Sequence, residues 1–505
     1  MKILFAVLLC VLCAAAAGTY VSFPDTGSDV PVIYWVTDRN PARELQVETF
    51  HKWLVKQGHV TGEGTPKVEL RLDMANRDIS KQIIQSVSGV GGDLMDIGGG
   101  NLPLFEAMGI VTDVTDAGVA LGFDPSQTYR AIGPEITVDG RQYMFPCNVA
   151  MTVYWVNSDT FAAVNMPVPP TRWTLEEFEA IGKEFVRRAN PPGTRPDQKR
   201  FLANDVNLTI LHRSLGLSVF NETLTACDLD DPRYARVLGL KRRWIYEDNF
   251  LPTPDDADAF ATQQGYGGAM LALFGSGNYA MVSGGRWYLI RFREFDNLGP
   301  LKVVEPPHGG FPNTTIGTRA AVLYAGSAHP DLARLFLSYL ASEDYNSLIV
   351  HDADALPPNP RYTQSEAFLR PPDHPNEWGA HGEIVRQAEE IAIAGVYSPF
   401  VLPSVVSREA NFFMQDFMAY RCTAEEAAAR SAAAINRAIQ GEVQRKPELQ
   451  AEYDRRLALQ QKIDQRLASG RKLPPEWISN VFYLRYYADQ GMLLEPGSPD
   501  ARETP

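Results

Sequence analysis

Cysteine is scarce in this chain: 5 in 505 residues, and two of them, Cys10 and Cys13, fall in an apolar leader. Cys147, Cys227 and Cys422 remain, an odd number that allows at most one disulfide. A disulfide scaffold is therefore excluded, and stability must come from a large core. Excess basic charge is missing as well, since the formal net charge is -14. A polyanion would be repelled, and no basic stripe interleaved with aromatics offsets that, so nucleic acid is not a partner. Past the N-terminus there is no long apolar run, so no further membrane span is expected. Catalytic patterns are lacking too. None of the 8 histidines stands in HExxH, and neither GxxxxGK[ST] nor GxSxG occurs. Gly275-Ser276-Gly277-Asn278-Tyr279-Ala280 fits a loose dinucleotide fingerprint. There, however, a helix precedes and a strand follows, the reverse of the order that motif requires. No metal site and no cofactor are implied.

What is present begins with the leader. Lys2 precedes an apolar run from Ile3 to Leu12, and Ala14 to Ala17 supply small residues suited to signal-peptidase cleavage after Ala17. The alternative is an uncleaved anchor, since apolar character persists to Phe23. Lipidation is disfavoured because Cys10 and Cys13 each follow a leucine. The remaining length calls for roughly two to four domains. Val32 to Val36 is a continuous apolar run and reads as a buried strand. Pro41 to Gln57 is helical in pattern, Val68 to Leu72 alternates as a strand, Asp78 to Val87 is helical, and Asp93 to Ile97 is a strand. This β-α-β-α-β order predicts a parallel sheet with helices on both faces.

Further strands are expected at Tyr143 to Pro146, Met151 to Asn157, Tyr279 to Val282, Leu301 to Pro306 and Arg319 to Tyr324. Thr174 with Glu177, and Thr423 with Glu426, form capping boxes that start helices. Helices are also expected at Asn207 to Leu217, Asp231 to Glu247, Ala257 to Phe274 and Pro330 to Leu340. After Gly441 the chain turns charge-dense, with an apolar stripe of Leu449, Tyr453, Leu457 and Leu459. That pattern predicts a solvent-facing helix or helical hairpin, followed by a disordered tail from Pro496.

The positive signals are binding signals. An open parallel sheet binds ligands at the carboxyl ends of its strands. Three stretches fall there: Thr37-Asp38-Arg39, Gly98 to Asn101, and Thr318-Arg319. Glycine lets a ligand approach the backbone, and Asp, Asn and Arg give directional hydrogen bonds. Trp287 follows two glycines and is placed to stack on an apolar sugar face; its competing reading is core packing. For Trp35, inside a strand, core packing competes more strongly. His212 reads as an ordinary helical histidine.

Five stretches in this order resemble the extracellular solute-binding proteins of family 1, the maltose-binding-like sugar receptors of ABC importers. They are Val32 to Thr37; Gly92-Asp93-Leu94-Met95-Asp96-Ile97 with Val111 to Val114; Tyr143 to Pro146 leading through Val153 to Asn157 to Trp173 and Phe178; Phe274 to Met281 with Gly284, Gly285 and Trp287; and Ala328-His329-Pro330 with Phe336 and Leu340. The resemblance covers about residues 30 to 440.

It implies a two-lobed α/β fold, the type II periplasmic-binding-protein architecture, with each lobe a mostly parallel sheet flanked by helices. The lobes would be 25–146 plus 317–398 and 147–316 plus 399–440, with 441–505 as a helical extension. Crossovers would lie near Cys147 to Thr152, Thr315 to Ala321 and Tyr397 to Val401. The function implied is capture of a carbohydrate by hinge closure, as a monomer, without catalysis, and delivery to ABC permease subunits from the periplasm. By resemblance the ligand contacts are Trp35, Thr37, Asp38, Arg39, Asn101, Asn148, Trp287 and Arg319. Gly98 to Asn101 lacks the aromatic or acidic residues of maltose-type receptors, so a long malto-oligosaccharide groove is not expected. Arg39, Arg286 and Arg319 bring anionic sugars and sugar phosphates into range. The alternatives are an exported carbohydrate-active enzyme, a receptor of the same fold for a non-sugar solute, and a sensory or scaffold protein using its charged C-terminal segment.

Overall fold

A computed structural model of the chain describes residues 29–259, 268–295 and 298–495. The leader, part of the helix expected from Ala257 to Phe274, and the tail from Pro496 lie outside the described residues.

The apolar run Val32–Val36 forms a strand with Ile33, Trp35 and Val36 buried. It lies between two parallel neighbours, Glu69–Asp73 and Leu94–Ile97. The connecting helices are Ala42–Lys56 and Ile79–Val87, the second capped by the Asp78 side chain on the Lys81 N–H. Together these make the β-α-β-α-β unit that alternating apolar runs dictate. The sheet is completed by Thr314–Leu323, antiparallel to Leu94–Ile97, by Met144–Met151, antiparallel to Thr314–Leu323, and by Ala392–Ile393. A second sheet runs in the order Leu301–Val304, Val153–Asn157, Tyr279–Gly284, Phe201–Ala203.

The architecture is the expected two-lobed α/β one, with more mixed pairing than a mostly parallel sheet. In the second sheet only Phe201–Ala203 with Tyr279–Gly284 is parallel. The reason is topological. The strands that carry the chain out of the first sheet, Met144–Met151 and Val153–Asn157, pair antiparallel with those that bring it back, Thr314–Leu323 and Leu301–Val304. One residue, Thr152, separates Met144–Met151 of the first sheet from Val153–Asn157 of the second. The chain returns between Val304 and Thr314.

Both expected capping boxes are formed, starting the helices Leu175–Ala189 and Ala424–Arg445. One apolar core runs from the first sheet (Met95, Met144, Val322) into the second (Trp155, Val282, Val303). Each such large side chain, fully buried, contributes roughly 1.5–3 kcal/mol. The strand expected at Arg319 to Tyr324 starts earlier, at Thr314, so one long strand joins three others of the first sheet.

Beyond Gly441 the helices Pro447–Ala468 and Val481–Asp489 are docked, not free in solvent. Asn480 donates to the Phe220 carbonyl at 2.8 Å, and Gln460 accepts from the Thr223 N–H at 3.1 Å. Ile463, Phe482 and Tyr487 share a small core with Phe311 and Ile393. The extension thus packs beside two of the segments that connect the sheets. No helix among the described residues is long and apolar enough to cross a membrane.

Candidate functional site

Polar side chains gather at two places. The first is the carboxyl end of Val32–Val36. Arg43, 1% exposed, donates to Asp38 at 2.6 Å and to Asp354 at 2.5 Å. Asp354 also accepts from Asn40, Gln46 and Asn148 at 2.9, 3.1 and 3.0 Å. Arg319 pairs with Asp96 and lies 3.6 Å from Asp354. Asp96 in turn accepts from the Trp35 indole at 2.7 Å and from Thr37 at 2.5 Å. The Arg319 guanidinium sits over the Trp35 ring, 5.5 Å from its centroid. Burial alone would raise the Asp354 carboxyl, but Arg43 and Arg319 outweigh it and hold it below the usual carboxylate range. Its neighbour Asp352 is pushed up by burial and by the Asp354 charge. Ala353 and Ala355, on either side of Asp354, have φ of 61° and 67°, a left-handed conformation that costs a non-glycine residue energy. Here that cost is offset by the five groups gripping Asp354.

The second place is a cavity of about 520 Å³ between the sheets. Its floor is the set of connecting segments, Ala150 to Thr152, Thr315 to Gly317 and Gly395 to Ser398. Thr315 Oγ1 donates to Thr152 Oγ1 at 2.9 Å, and the Thr152 N–H donates to the Thr315 carbonyl at 3.0 Å. One wall is the helix Leu208–Ser214, carrying Thr209 and Arg213; another is Pro403–Met418, carrying Ser407 and Asn411. Trp287 and Tyr397 supply aromatic faces.

Glycines set both aromatics. A Cβ on Gly285 would lie 1.6 Å from the Trp287 ring, so only glycine lets the indole fold back there. A Cβ on Gly100 would lie 2.5 Å from the Tyr397 ring. The bare loop Gly98 to Asn101 is therefore the surface on which Tyr397 rests. Behind the floor, Glu135 accepts from the N–H of Thr318 at 3.2 Å and of Gly395 at 3.3 Å. Burial pushes its carboxyl up to about 7, against those two hydrogen bonds and the Arg213 charge. Arg213 is 2% exposed and donates to the Ile393 and Ala394 carbonyls at 3.3 and 2.9 Å. Burial lowers its pKa to about 10, so it stays a cation at neutral pH.

The expected ligand contacts divide accordingly. Trp287 lines the cavity, half-buried. Trp35, Thr37, Asp38, Asn148 and Arg319 belong to the ionic network, while Arg39 is exposed at its edge. Asn101 is half-buried at the start of the helix Leu102–Ala107 and caps nothing with its side chain. Arg286 is buried and donates to the carbonyls of Ile349, Val350 and Ala355. His212 lines the cavity but bonds the Leu217 carbonyl through Nδ1, and burial drops its pKa to about 4. Arg213, Tyr397, Thr209 and Asn411 were not singled out from sequence. A glycine two residues before Tyr397 repeats the Gly285–Trp287 spacing and was the available signal.

The family model for bacterial extracellular solute-binding proteins matches residues 70–347, more than half of the chain. This chain belongs to that family. Solved structures agree with this solute-binding protein in fold. An ABC substrate-binding protein from Listeria monocytogenes in complex with cycloalternan is 19% identical, with a TM-score of 0.66 over 82% of this chain and 100% of that one. A solute-binding protein of an ABC transporter from Thermotoga lettingae, bound with α-D-tagatose, is 15% identical, with a TM-score of 0.64 over 81% and 100%. The maltose/maltodextrin-binding domain from Bdellovibrio bacteriovorus, bound to maltotriose, is 18% identical, with a TM-score of 0.62 over 81% and 100%. No curated protein sequence matches this solute-binding protein significantly.

Proposed function

We propose that this solute-binding protein is the substrate-binding component of an ABC importer and that it captures a mono- or short oligosaccharide by closure of its two lobes. The observation that carries this reading is the cavity where the segments connecting the two sheets converge. A ligand seated there touches both lobes, and its binding energy favours whichever lobe arrangement encloses it. We draw the lobe boundaries at Thr152, between Val304 and Thr314, and in the segment after Ile393, close to the divisions expected at 146/147, 316/317 and 398/399.

The cavity chemistry suits a sugar. Trp287 and Tyr397 offer faces for the C–H side of a pyranose, and Thr209, Ser407 and Asn411 offer groups for its hydroxyls. Its volume falls within the usual range for small-molecule pockets. The three solved structures described above hold cycloalternan, α-D-tagatose and maltotriose. A receptor role, in place of glycoside hydrolysis, is supported by the lining: its described residues include no Asp or Glu, and hydrolysis commonly uses a pair of carboxylates. One chain supplies both lobes, so a monomer suffices. The leader would export the chain to the periplasm, where the liganded form meets its permease.

Thermal unfolding against a panel of sugars, polyamines and metal chelates tests the reading. A true ligand at a hundred times its Kd adds about 2.7 kcal/mol of stability and raises Tm. A Tm rise with a sugar is expected. A rise only with a polyamine or a chelate would overturn the carbohydrate assignment.

A further inference from the structure

We infer that the solute is an acidic sugar, whose anionic group is received by Arg213 at the cavity wall. This rests on the carbohydrate-receptor reading and narrows it.

Among the described residues lining the cavity, Arg213 is the one side chain carrying a full charge at neutral pH, and none is Asp, Glu or Lys. Its guanidinium is almost wholly buried. Two of its nitrogens are occupied by backbone carbonyls, but the Nε–H is buried with no protein acceptor. A buried cation without a counterion is costly, and nature usually pairs it. Of the arginines considered for an anionic ligand, Arg39 is exposed outside the cavity, and the others are engaged elsewhere. Arg319 and Arg43 face Asp96, Asp354 and Asp38, and Arg286 is turned onto backbone carbonyls. Of these arginines, Arg213 alone lines the cavity. Its one nearby acid, Glu135, lies behind Gly317 and Gly395 and already accepts two backbone N–H groups. Burial raises the Glu135 pKa to about 7, so near neutrality it is only partly ionised. The cavity is therefore a positive spot in a protein of net charge -14. Neutral hydroxyls can accept from Nε–H, but only an anion also compensates the charge.

Calorimetric titration of the full chain with matched pairs tests this: glucose against glucuronate, galactose against galacturonate, and glucose 6-phosphate as the phosphate arm. At least one acidic sugar should bind about a hundredfold more tightly than its neutral partner, by charge-assisted hydrogen bonding. Whether the uronates or the phosphate win identifies the anion. In R213Q the preference for the acidic member should collapse towards parity. A purely structural role for Arg213 would instead weaken both members equally, and that result would overturn the inference. If R213Q fails to fold, the wild-type ratios decide. Equal or tighter binding of the neutral members sinks the inference and leaves the carbohydrate reading intact. Tight binding of a non-sugar solute, with every sugar rejected, sinks the reading beneath it.

Discussion

The carboxyl end of the first strand and the cavity between the sheets draw on the same residue types, and they treat charge in opposite ways. At the strand end, two arginines are paired with three aspartates, and asparagines and a glutamine donate to Asp354 as well. At the cavity, one arginine stands among hydroxyls and aromatic rings, with a single glutamate behind the floor. The pKa directions record the contrast: Asp354 is held down by its cations, whereas Glu135 is pushed up by burial. Arginines paired with carboxylates lock a scaffold; one without a carboxylate partner beside empty volume is placed to meet a solute.

The largest effect should come from breaking the ionic cluster at the strand end. D354N leaves Arg43 and Arg319 buried without their shared carboxylate. It should cost roughly 3–5 kcal/mol in denaturant unfolding, while the folded fraction keeps its solute affinity. A loss of affinity matching the loss of stability would erase the distinction between the two places.

Glu135 gives the next effect. Its folded pKa, about 7, lies above the ordinary carboxylate value, so the native state binds a proton that the unfolded chain releases. Its contribution is fully present below about pH 4.5 and is lost as pH rises through 7. E135Q should remove that decline, making the variant more stable than wild type at pH 8 by on the order of 2–3 kcal/mol relative to their difference at pH 4.5. Parallel pH profiles of unfolding free energy would contradict this.

W287A should lower solute affinity about tenfold, near 1.4 kcal/mol, with little change in Tm, because the ring faces the cavity and is only half-buried. Calorimetry and a melting curve on one preparation read both. The smallest effect belongs to R39A. Arg39 is exposed, so stability should stay within about 0.5 kcal/mol and affinity unchanged. A clear drop in affinity would move the solute to the strand end.

The fold was legible because its signals are local. Val32–Val36 is apolar throughout, and two capping boxes start the helices Leu175–Ala189 and Ala424–Arg445. The site was less so, because what decides it is distant in sequence. Arg43 and Asp354 are 311 positions apart, and Arg213 reaches a carbonyl 180 positions away. An arginine beside a strand end looks the same on paper whether an aspartate from elsewhere in the chain claims it or not. Trp287 was visible through its two glycines, and Tyr397 carried a weaker form of that signal at Gly395. The docking of the extension was hidden as well: its apolar stripe was legible, but not that Asn480, Gln460 and Tyr487 find partners between Phe220 and Thr223.

A crystal structure with the solute bound bears most directly on where this protein holds its ligand. The account predicts sugar density in the cavity at the connecting segments, against Trp287 and within hydrogen-bonding reach of Arg213. Density seated on Asp38 and Arg39 at the end of the first strand, with the cavity holding only water, would contradict it.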